Sequence, residues 1–413
     1  MRETKLHPLY PTADYLSDLQ MNDFPTLKDF LSDGQSWRKK HWLWGQSFLV
    51  YVARNKSPHT FNRFRNEIER FLLWLFLKHD QPMDKLKKVD ILQFADFCWA
   101  PDIRWIGVSN HDKFELSNGF QVANKAWLPY RLVTSKHPDD VKAADKNRYQ
   151  PSQQTLTAMF TALVAFYKFL MNEELVSGNP AQLAKADCRY FIKDAQVKEV
   201  RRLNDDHWQY LIQAAETLAD QDAVYERNLF VIVAMKTLFL RISELSERPN
   251  WSPVMQHFWQ DAQNNWWLKI YGKGRKLRDI TVPDSFLPYL KRYRVSRDLS
   301  PLPSSNEHYP LVEKLRGRGG MSSRQLARIV QQVLDQAYET MAQHEGQDNA
   351  RKLKEASTHW LRHTGASMEI ERGRALKDVS EDLGHASMAT TDTVYVQTET
   401  RKRAASGKNR SVK

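Results

Sequence analysis

Two stretches of the chain repeat apolar residues at the three-and-four spacing of amphipathic helices. In the first, which starts at Thr60, charged residues such as Arg63 and Glu67 fall off the apolar face. Its apolar positions are Phe61, Phe64, Ile68, Phe71, Leu72 and Leu75. The second stretch follows Ser152, a suitable N-cap residue. Its apolar positions are Leu156, Met159, Phe160, Leu163, Phe166, Tyr167 and Leu170. Together with a short helix expected over residues 89–99, they predict a helical domain in the first half of the chain.

The flanking segments suggest where domains begin and end. Residues 1–36 are polar and interrupted by prolines, which predicts an extension with one short helix. Residues 100–150 show no clear period and form either an insertion or a set of short elements. The charged stretch at 187–202 predicts a linker. The expected order is therefore extension, helical domain over 37–186, linker, and a second domain over 203–400.

The second domain combines helices with one hairpin. Apolar periodicity predicts helices over 206–219 and 224–239. Two β-rich runs, 265–271 and 277–283, flank the glycine-bearing sequence GKGRK, which predicts an antiparallel hairpin. From about residue 285 the pattern is again mainly helical, apart from a loop at 300–310. The expected fold class is thus mainly α with a small antiparallel β-sheet, arranged as two domains.

Charge and cysteine content narrow the functional classes. An excess of 61 Lys and Arg over 49 Asp and Glu gives a net charge of +12 and favours a polyanionic partner, above all nucleic acid. A protein that is basic without binding nucleic acid is the alternative.

Two separated cysteines, Cys98 and Cys188, provide neither a disulfide framework nor a four-ligand zinc module. No apolar run approaches the roughly 18 residues of a membrane span, and a cytoplasmic location is expected. Residues 401–413 carry six basic side chains and no acid, which is typical of a phosphate-seeking tail.

The segment STHWLRHTGAS, residues 357–367, places two histidines on one face of an expected helix. His359 and His363 could bind a metal, bind an anion with Arg362, or simply pack. A helix start capped by Ser357 or Thr358 favours an anion, and the arginine adds a planar phosphate-binding group. Zinc is disfavoured there, because helical metalloprotease pairs also need a glutamate after the first histidine.

Several other residues indicate a function only when they are considered together. Arg241 follows an apolar helix, where Glu244 would be an ordinary salt-bridge partner. Lys273 lies between two glycines of the hairpin turn, His385 follows a helix-ending glycine, and Tyr395 comes shortly afterwards. Arginines and a histidine can hold the non-bridging oxygens of a phosphodiester under attack. A tyrosine can be the nucleophile, although its usual pKa of about 10 requires activation, and a lysine can protonate the leaving oxygen.

The order LRISEL, GKGRK, HWLRHT, LGHAS and a late tyrosine resembles the tyrosine recombinase (phage integrase) family, which includes Xer-type and mobile-element integrases. The resemblance covers residues 203–400, and the helices at 60–77 and 152–173 resemble the family's core-binding domain more loosely. It implies that Arg241 and Arg362 bind the scissile phosphate, Lys273 is the general acid, His359 aids proton transfer, His385 hydrogen-bonds the phosphate and Tyr395 is the nucleophile.

Two departures from the family pattern stand out. Phe239 occupies a position where the family usually has glycine, which could alter the local backbone. Ten positions separate His385 from Tyr395, one more than is usual. Lys276 is the alternative general acid if Lys273 only contacts phosphate.

The resemblance implies a site-specific recombinase that cleaves duplex DNA through a 3′-phosphotyrosyl intermediate, without metal, ATP or any other cofactor. It also implies a homotetramer on two synapsed sites, in the cytoplasm at the bacterial nucleoid. A type IB topoisomerase activity and a catalytically silent DNA-binding protein on the same fold are the alternatives.

Overall fold

The structure, a computed structural model, describes residues 6–132, 145–191, 201–272, 277–384 and 407–408. The chain divides into two compact units, residues 1–195 and 196–413. The division falls within the segment 187–202 that the sequence suggested as a linker, and the predicted limits of the domains remain predictions.

The first unit is a helical bundle with two small pairs of strands. Its helices are α1 (Ala13–Leu16), α2 (Pro25–Ser32), α3 (Ser36–Asn55), α4 (Pro58–Trp74), α5 (Lys88–Trp99), α6 (Gln153–Asn172) and α7 (Pro180–Asp187). Its strands are β1 (Ile106–Gly107), β2 (Phe114–Ser117), β3 (Phe120–Ala123) and β4 (Tyr130–Arg131). The strands pair as β1 with β4, parallel, and β2 with β3, antiparallel.

Helices α4 and α6 confirm the two periodic stretches. Five of the six apolar positions predicted for the first stretch are fully buried, and Phe64 packs against the same core. Helix α6 begins after Ser152, whose hydroxyl accepts a hydrogen bond from the Thr155 N–H at 3.2 Å. By length and composition α6 could cross a membrane, but nine of its side chains are buried in this unit.

Residues 6–32 do not form the extension that the sequence suggested. Leu9, Tyr10 and Leu16 are completely buried in the core of the first unit. The backbone N–H groups of Leu9 and Tyr10 donate to Glu69 at 2.6 and 3.2 Å, and the Tyr10 hydroxyl donates to the carbonyl of Trp42 at 2.9 Å. The segment contains two short α-helices and a 3₁₀ turn rather than one helix, so its apolar residues follow no single period.

The stretch that could not be assigned from sequence contains a tight hairpin. Strands β2 and β3 meet at Ser117 and Phe120. Asn118 and Gly119 between them both have positive φ, 49° and 82°, as a two-residue type I′ turn requires. The Asn-Gly pair is a hairpin signal that does not depend on helical or strand periodicity.

The second unit contains a three-stranded sheet and a set of helices. The helices are α8 (Asp205–Gln221), α9 (Glu226–Thr237), α10 (Ile242–Leu245), α11 (Leu287–Val295), α12 (Ser323–Glu345), α13 (Gln347–Glu355), α14 (Thr358–Glu371) and α15 (Leu376–Leu383). The strands are β5 (Phe258–Gln260), β6 (Trp266–Tyr271) and β7 (Leu277–Val282), in the order β5-β6-β7 and antiparallel.

The predicted helices at 206–219 and 224–239 and both predicted strands are confirmed by α8, α9, β6 and β7. Strands β6 and β7 pair from Trp266 and Val282 to Tyr271 and Leu277. Alternate residues of both strands are buried in the core, as a half-buried sheet requires. Residues 273–276 of the predicted turn lie outside the described residues.

Candidate active site

Arg241 stands at a turn between two helices. Helix α9 ends at Thr237, and Arg241 occupies the N-cap position of α10. Its backbone N–H donates to Glu244 Oε2 at 2.8 Å, and its Nη1 donates to Oε1 of the same carboxylate at 3.0 Å. The salt bridge suggested from the sequence is therefore present. The Arg241 side chain is 24% exposed, so solvent reaches it.

Phe239 stands where the tyrosine recombinase family usually has glycine. Its backbone nevertheless adopts a conformation that normally favours glycine. Its φ is +50°, a left-handed conformation that costs a non-glycine residue about 1–2 kcal/mol. The ring is buried against Ala366, Val379 and Leu383, and burial of an aromatic ring offsets a cost of that size. The substitution therefore retains a glycine-like backbone rather than altering it.

Arg362 is buried between two backbone carbonyls. Nη1 donates to the carbonyl of Phe239 and Nη2 to the carbonyl of Leu383, both at 2.5 Å, and the side chain is 2% exposed. Helix α14 begins at Thr358 with Ser357 as N-cap residue, but the Ser357 side chain makes no capping hydrogen bond. The predicted start of the helix is therefore present, but the capping hydrogen bond expected from the Ser357 side chain is not.

Because residue 365 is glycine, α14 can pack closely against α9, and this close packing positions the Arg362 guanidinium group. A Cβ at Gly365 would lie 1.8 Å from the backbone oxygen of Lys236 in α9, so no other residue fits without separating the two helices. The close approach of α14 to α9 brings Arg362 to the turn that contains Phe239 and Arg241.

Glu244 collects three arginines around one carboxylate. Arg241 and Arg278 donate to its Oε1 at 3.0 and 2.8 Å, and Arg362 Nη1 lies 3.9 Å from its Oε2. Burial alone would raise the Glu244 pKa, but the arginines and the Arg241 N–H outweigh burial and lower it. Three guanidinium charges against one carboxylate leave an excess of two positive charges, which favours a bound anion.

Arg278 is a site residue that the sequence reasoning missed. Besides Glu244, it binds the carbonyl of Asp382 through Nε at 3.1 Å, while its Nη2 is buried without a hydrogen-bond partner among the described residues. The alternation of β7 contained a signal, because Arg278 shares a face with the buried Ile280 and Val282.

His359 and His363 contact each other edge to face, with ring centroids 4.7 Å apart. Burial, followed by the positive charges of Arg362 and Arg241, lowers the pKa of His359. The same charges oppose a metal cation. Within the described ranges, no three His, Cys, Asp or Glu side chains form a cluster suited to a metal ion.

The structure thus brings together three of the six predicted site residues: Arg241, His359 and Arg362. Lys273, His385 and Tyr395 lie outside the described residues, as does the alternative Lys276. In sequence, the two lysines fall between strands β6 and β7, and His385 follows Gly384, the left-handed residue that ends α15.

Comparisons with known proteins place this site in context. The family model described as the phage integrase family matches residues 201–402. The tyrosine recombinase XerC of Lactobacillus delbrueckii subsp. bulgaricus is 26% identical over 246 residues, covering 58% of this chain and 71% of that protein.

Two solved structures share the fold. A XerH site-specific recombinase bound to palindromic difH substrate in a post-cleavage complex is 15% identical, covers 97% of this chain and 98% of its own, and has a TM-score of 0.56. A Tn1549 transposon integrase in complex with transposon right end DNA is 14% identical, covers 87% of this chain and 99% of its own, and has a TM-score of 0.50.

Proposed function

We propose that this chain is a member of the phage integrase family, whose model matches residues 201–402, and that it cuts and rejoins duplex DNA as a site-specific recombinase. The observation that carries the proposal is the cluster around Glu244, where three arginines share one carboxylate. Their excess charge suits the phosphodiester at which a strand is cut. We infer that Arg241, the exposed member, and Arg362 hold its two non-bridging oxygens.

The remaining roles follow from the chemistry of phosphoryl transfer. The Tyr395 oxygen attacks the scissile phosphorus, the bond to the 5′-oxygen breaks, and Lys273 protonates that oxygen. The products are a 3′-phosphotyrosyl link and a free 5′-hydroxyl. Attack by a 5′-hydroxyl of the same or a partner strand reverses the step. Because the phosphoester bond is exchanged rather than hydrolysed, we expect no requirement for ATP or metal.

A nicked suicide duplex tests this function. After cleavage, the short fragment that carries the free 5′-hydroxyl diffuses away, so it cannot reseal the strand and the covalent adduct accumulates. The expected result is a protein–DNA adduct without added metal or ATP, and absence of an adduct would favour the silent DNA-binding alternative. A plasmid with two target sites then separates recombined products from the merely relaxed DNA of a topoisomerase. Resemblance to recombinases favours recombined products.

His359 leads to a pH prediction. Its lowered pKa keeps the imidazole neutral at neutral pH, and we infer that the neutral ring takes part in proton transfer at Tyr395. A depressed histidine pKa means that the neutral form persists until the pH falls below the usual value of 6.5. Cleavage should therefore be retained at pH 6.5 and decline only at lower pH.

The measurement is the single-turnover cleavage rate from pH 8 to pH 5, with protein in excess over DNA but below the concentration that saturates binding, since that regime reports the free protein. A His359→Gln variant should cleave more slowly and lose the acidic decline. A wild-type rate that rises as the pH falls below 6.5 would contradict the assigned protonation state.

A basic loop beside the cluster is a further candidate DNA contact. Residues 314–320 contain three cations and no acid, and the loop is closed by pairing of Glu313 with Gly320. The exposed guanidinium groups of Arg316 and Arg318 have no ion pair within the described part of the chain. The loop is attached to the segment that follows Arg241, since the Glu247 N–H donates to the Met321 carbonyl at 2.9 Å. We infer that it contacts phosphates near the cleavage site.

An Arg316→Ala/Arg318→Ala variant should bind DNA more weakly, and the slope of log K against log salt should fall by about two, since each lost contact removes roughly 0.9. The matched control is Arg351→Ala/Arg372→Ala. Those arginines are also exposed, but each pairs with a glutamate of its own helix region. Equal losses in both variants would show that only net charge matters.

We also propose a homotetramer on two synapsed DNA sites, acting at the nucleoid in the cytoplasm. The tetramer follows from recombination as the reaction, since strand exchange needs two duplexes cut at four strands. Whether the biological role is integration, excision or resolution depends on the DNA sites, and sequenced recombination junctions would identify it.

A further inference from the structure

Asp382 is a buried carboxylate in a position that is electrostatically unfavourable. It lies in the last turn of α15, where helix carbonyls concentrate partial negative charge and cations are preferred. The residue is 4% exposed. An acidic residue is tolerated in such a position when specific partners offset the unfavourable electrostatic energy. Residues that are locally unfavourable in this way often have a functional role.

The compensating partners come from two different segments. Arg374, which precedes α15, donates from Nη2 to Asp382 Oδ2 at 2.5 Å. Thr281 of β7 donates its backbone N–H to Asp382 Oδ1 at 3.1 Å and its hydroxyl to the same oxygen at 3.3 Å. Strand β7 is an outer strand that pairs only with β6 among the described strands. The Asp382 carboxylate therefore joins the end of α15 to a sheet edge.

The backbone of the same turn holds two arginines of the site. The Asp382 carbonyl accepts from Arg278 Nε at 3.1 Å, and the Leu383 carbonyl accepts from Arg362 Nη2 at 2.5 Å. Strand β7 thus binds residue 382 at two points, its carbonyl through Arg278 and its carboxylate through Thr281. Gly384 makes room for this arrangement, since a Cβ there would lie 2.8 Å from Arg278 Cδ.

We propose that Asp382 is a positioning residue for strand cleavage, acting through Arg362 and Arg278. Its carboxylate fixes the end of α15 on β7, so that the two successive carbonyls hold both guanidinium groups at the Glu244 cluster. The proposal rests on the proposed function of that cluster. Misplacement of a catalytic group by about 1 Å can cost about a hundredfold in rate, so loss of this anchor should affect cleavage more than DNA affinity.

The test uses the full-length protein and single-turnover cleavage of the nicked duplex at saturating protein, with DNA affinity and thermal unfolding measured alongside. Asp382→Ala should slow cleavage by about 10- to 100-fold and change the Kd for DNA by less than about threefold. Asp382→Ser, whose hydroxyl is too short to reach Thr281, serves if the alanine variant does not fold. Asp382→Asn keeps an oxygen acceptor for the Thr281 N–H and should restore cleavage to within about threefold of wild type.

A stability control separates positioning from general loosening. Glu226→Ala removes another buried carboxylate of the same unit, which binds Arg292 Nε at 2.7 Å, and should cleave at the wild-type rate when saturating and folded. The proposal is overturned if Asp382→Ala or Asp382→Ser cleaves like Glu226→Ala, or if Asp382→Asn is as slow as the alanine variant. If wild-type protein forms no adduct, the proposed function itself fails, an outcome distinct from normal cleavage by the Asp382 variants.

Discussion

Replacement of Tyr395 by phenylalanine should reduce covalent trapping on a nicked DNA duplex to background, a loss of at least about a thousandfold in cleavage rate. The phenolic oxygen is the only non-hydrogen atom removed, and it is the atom that would form the bond to phosphorus. No other tyrosine follows His385 in the sequence, so no neighbouring phenol can substitute. DNA affinity should change little, because one hydroxyl contributes little to binding a polyanion held by basic residues.

The measurement is denaturing electrophoresis of the protein with a labelled duplex, together with a binding titration. Tyr309→Phe is a matched control in the same unit, since that tyrosine is 52% exposed and has no proposed catalytic role. It should trap DNA like the wild type. An adduct formed by Tyr395→Phe would assign the nucleophile to another residue, and the extra position between His385 and Tyr395 would then require a different alignment with the family.

Local patterns in the sequence predicted the elements that carry the site. The periodicity of α4, α6, α8 and α9 is visible over single helices, and the alternation of β6 and β7 is visible over six residues each. Arg241 and Glu244 are three positions apart, so the salt bridge between them could also be predicted from the sequence. These features depend on residues that are close to one another in the sequence, so they can be predicted from a single sequence.

The features that escaped prediction depend on distant contacts. Arg278 and the Asp382 carbonyl it binds are 104 positions apart, and no local period links a β-strand to the end of a late helix. The apolar residues of 6–32 are divided among short elements, so the sequence predicts an extension there, yet these residues pack into the first core. The consequence of Phe239 also needed the fold, since only the packing of its ring explains a left-handed phenylalanine.

Glu244→Gln should destabilise the second unit by about 3–5 kcal/mol, the usual consequence of leaving buried charges without their partner. The amide retains the size of the carboxylate and one acceptor oxygen, but the negative charge shared by Arg241, Arg278 and Arg362 is lost. Thermal and denaturant unfolding measure the loss. The cleavage rate should also fall, because the arginines that would hold the phosphate lose a common anchor.

The control for this variant is a second buried arginine–glutamate pair in the same unit. Arg294 is fully buried and donates to both carboxylate oxygens of Glu307 at 2.7 and 2.9 Å. Glu307→Gln should therefore lower stability comparably, while cleavage by the folded protein stays near the wild-type rate.

Inorganic sulfate distinguishes the two pairs by their chemistry. If the Glu244 cluster is an anion site, sulfate can replace the missing negative charge there, and it should raise the unfolding temperature of Glu244→Gln more than that of wild type or Glu307→Gln. Ligand binding to the folded state stabilises it in proportion to the logarithm of ligand concentration over Kd, whereas the general salting-out effect of sulfate acts on all three proteins alike. Equal shifts in all three would mean that the arginines around Glu244 are a structural ion network, and the assignment of Arg241 and Arg362 to the scissile phosphate would lose its physical basis.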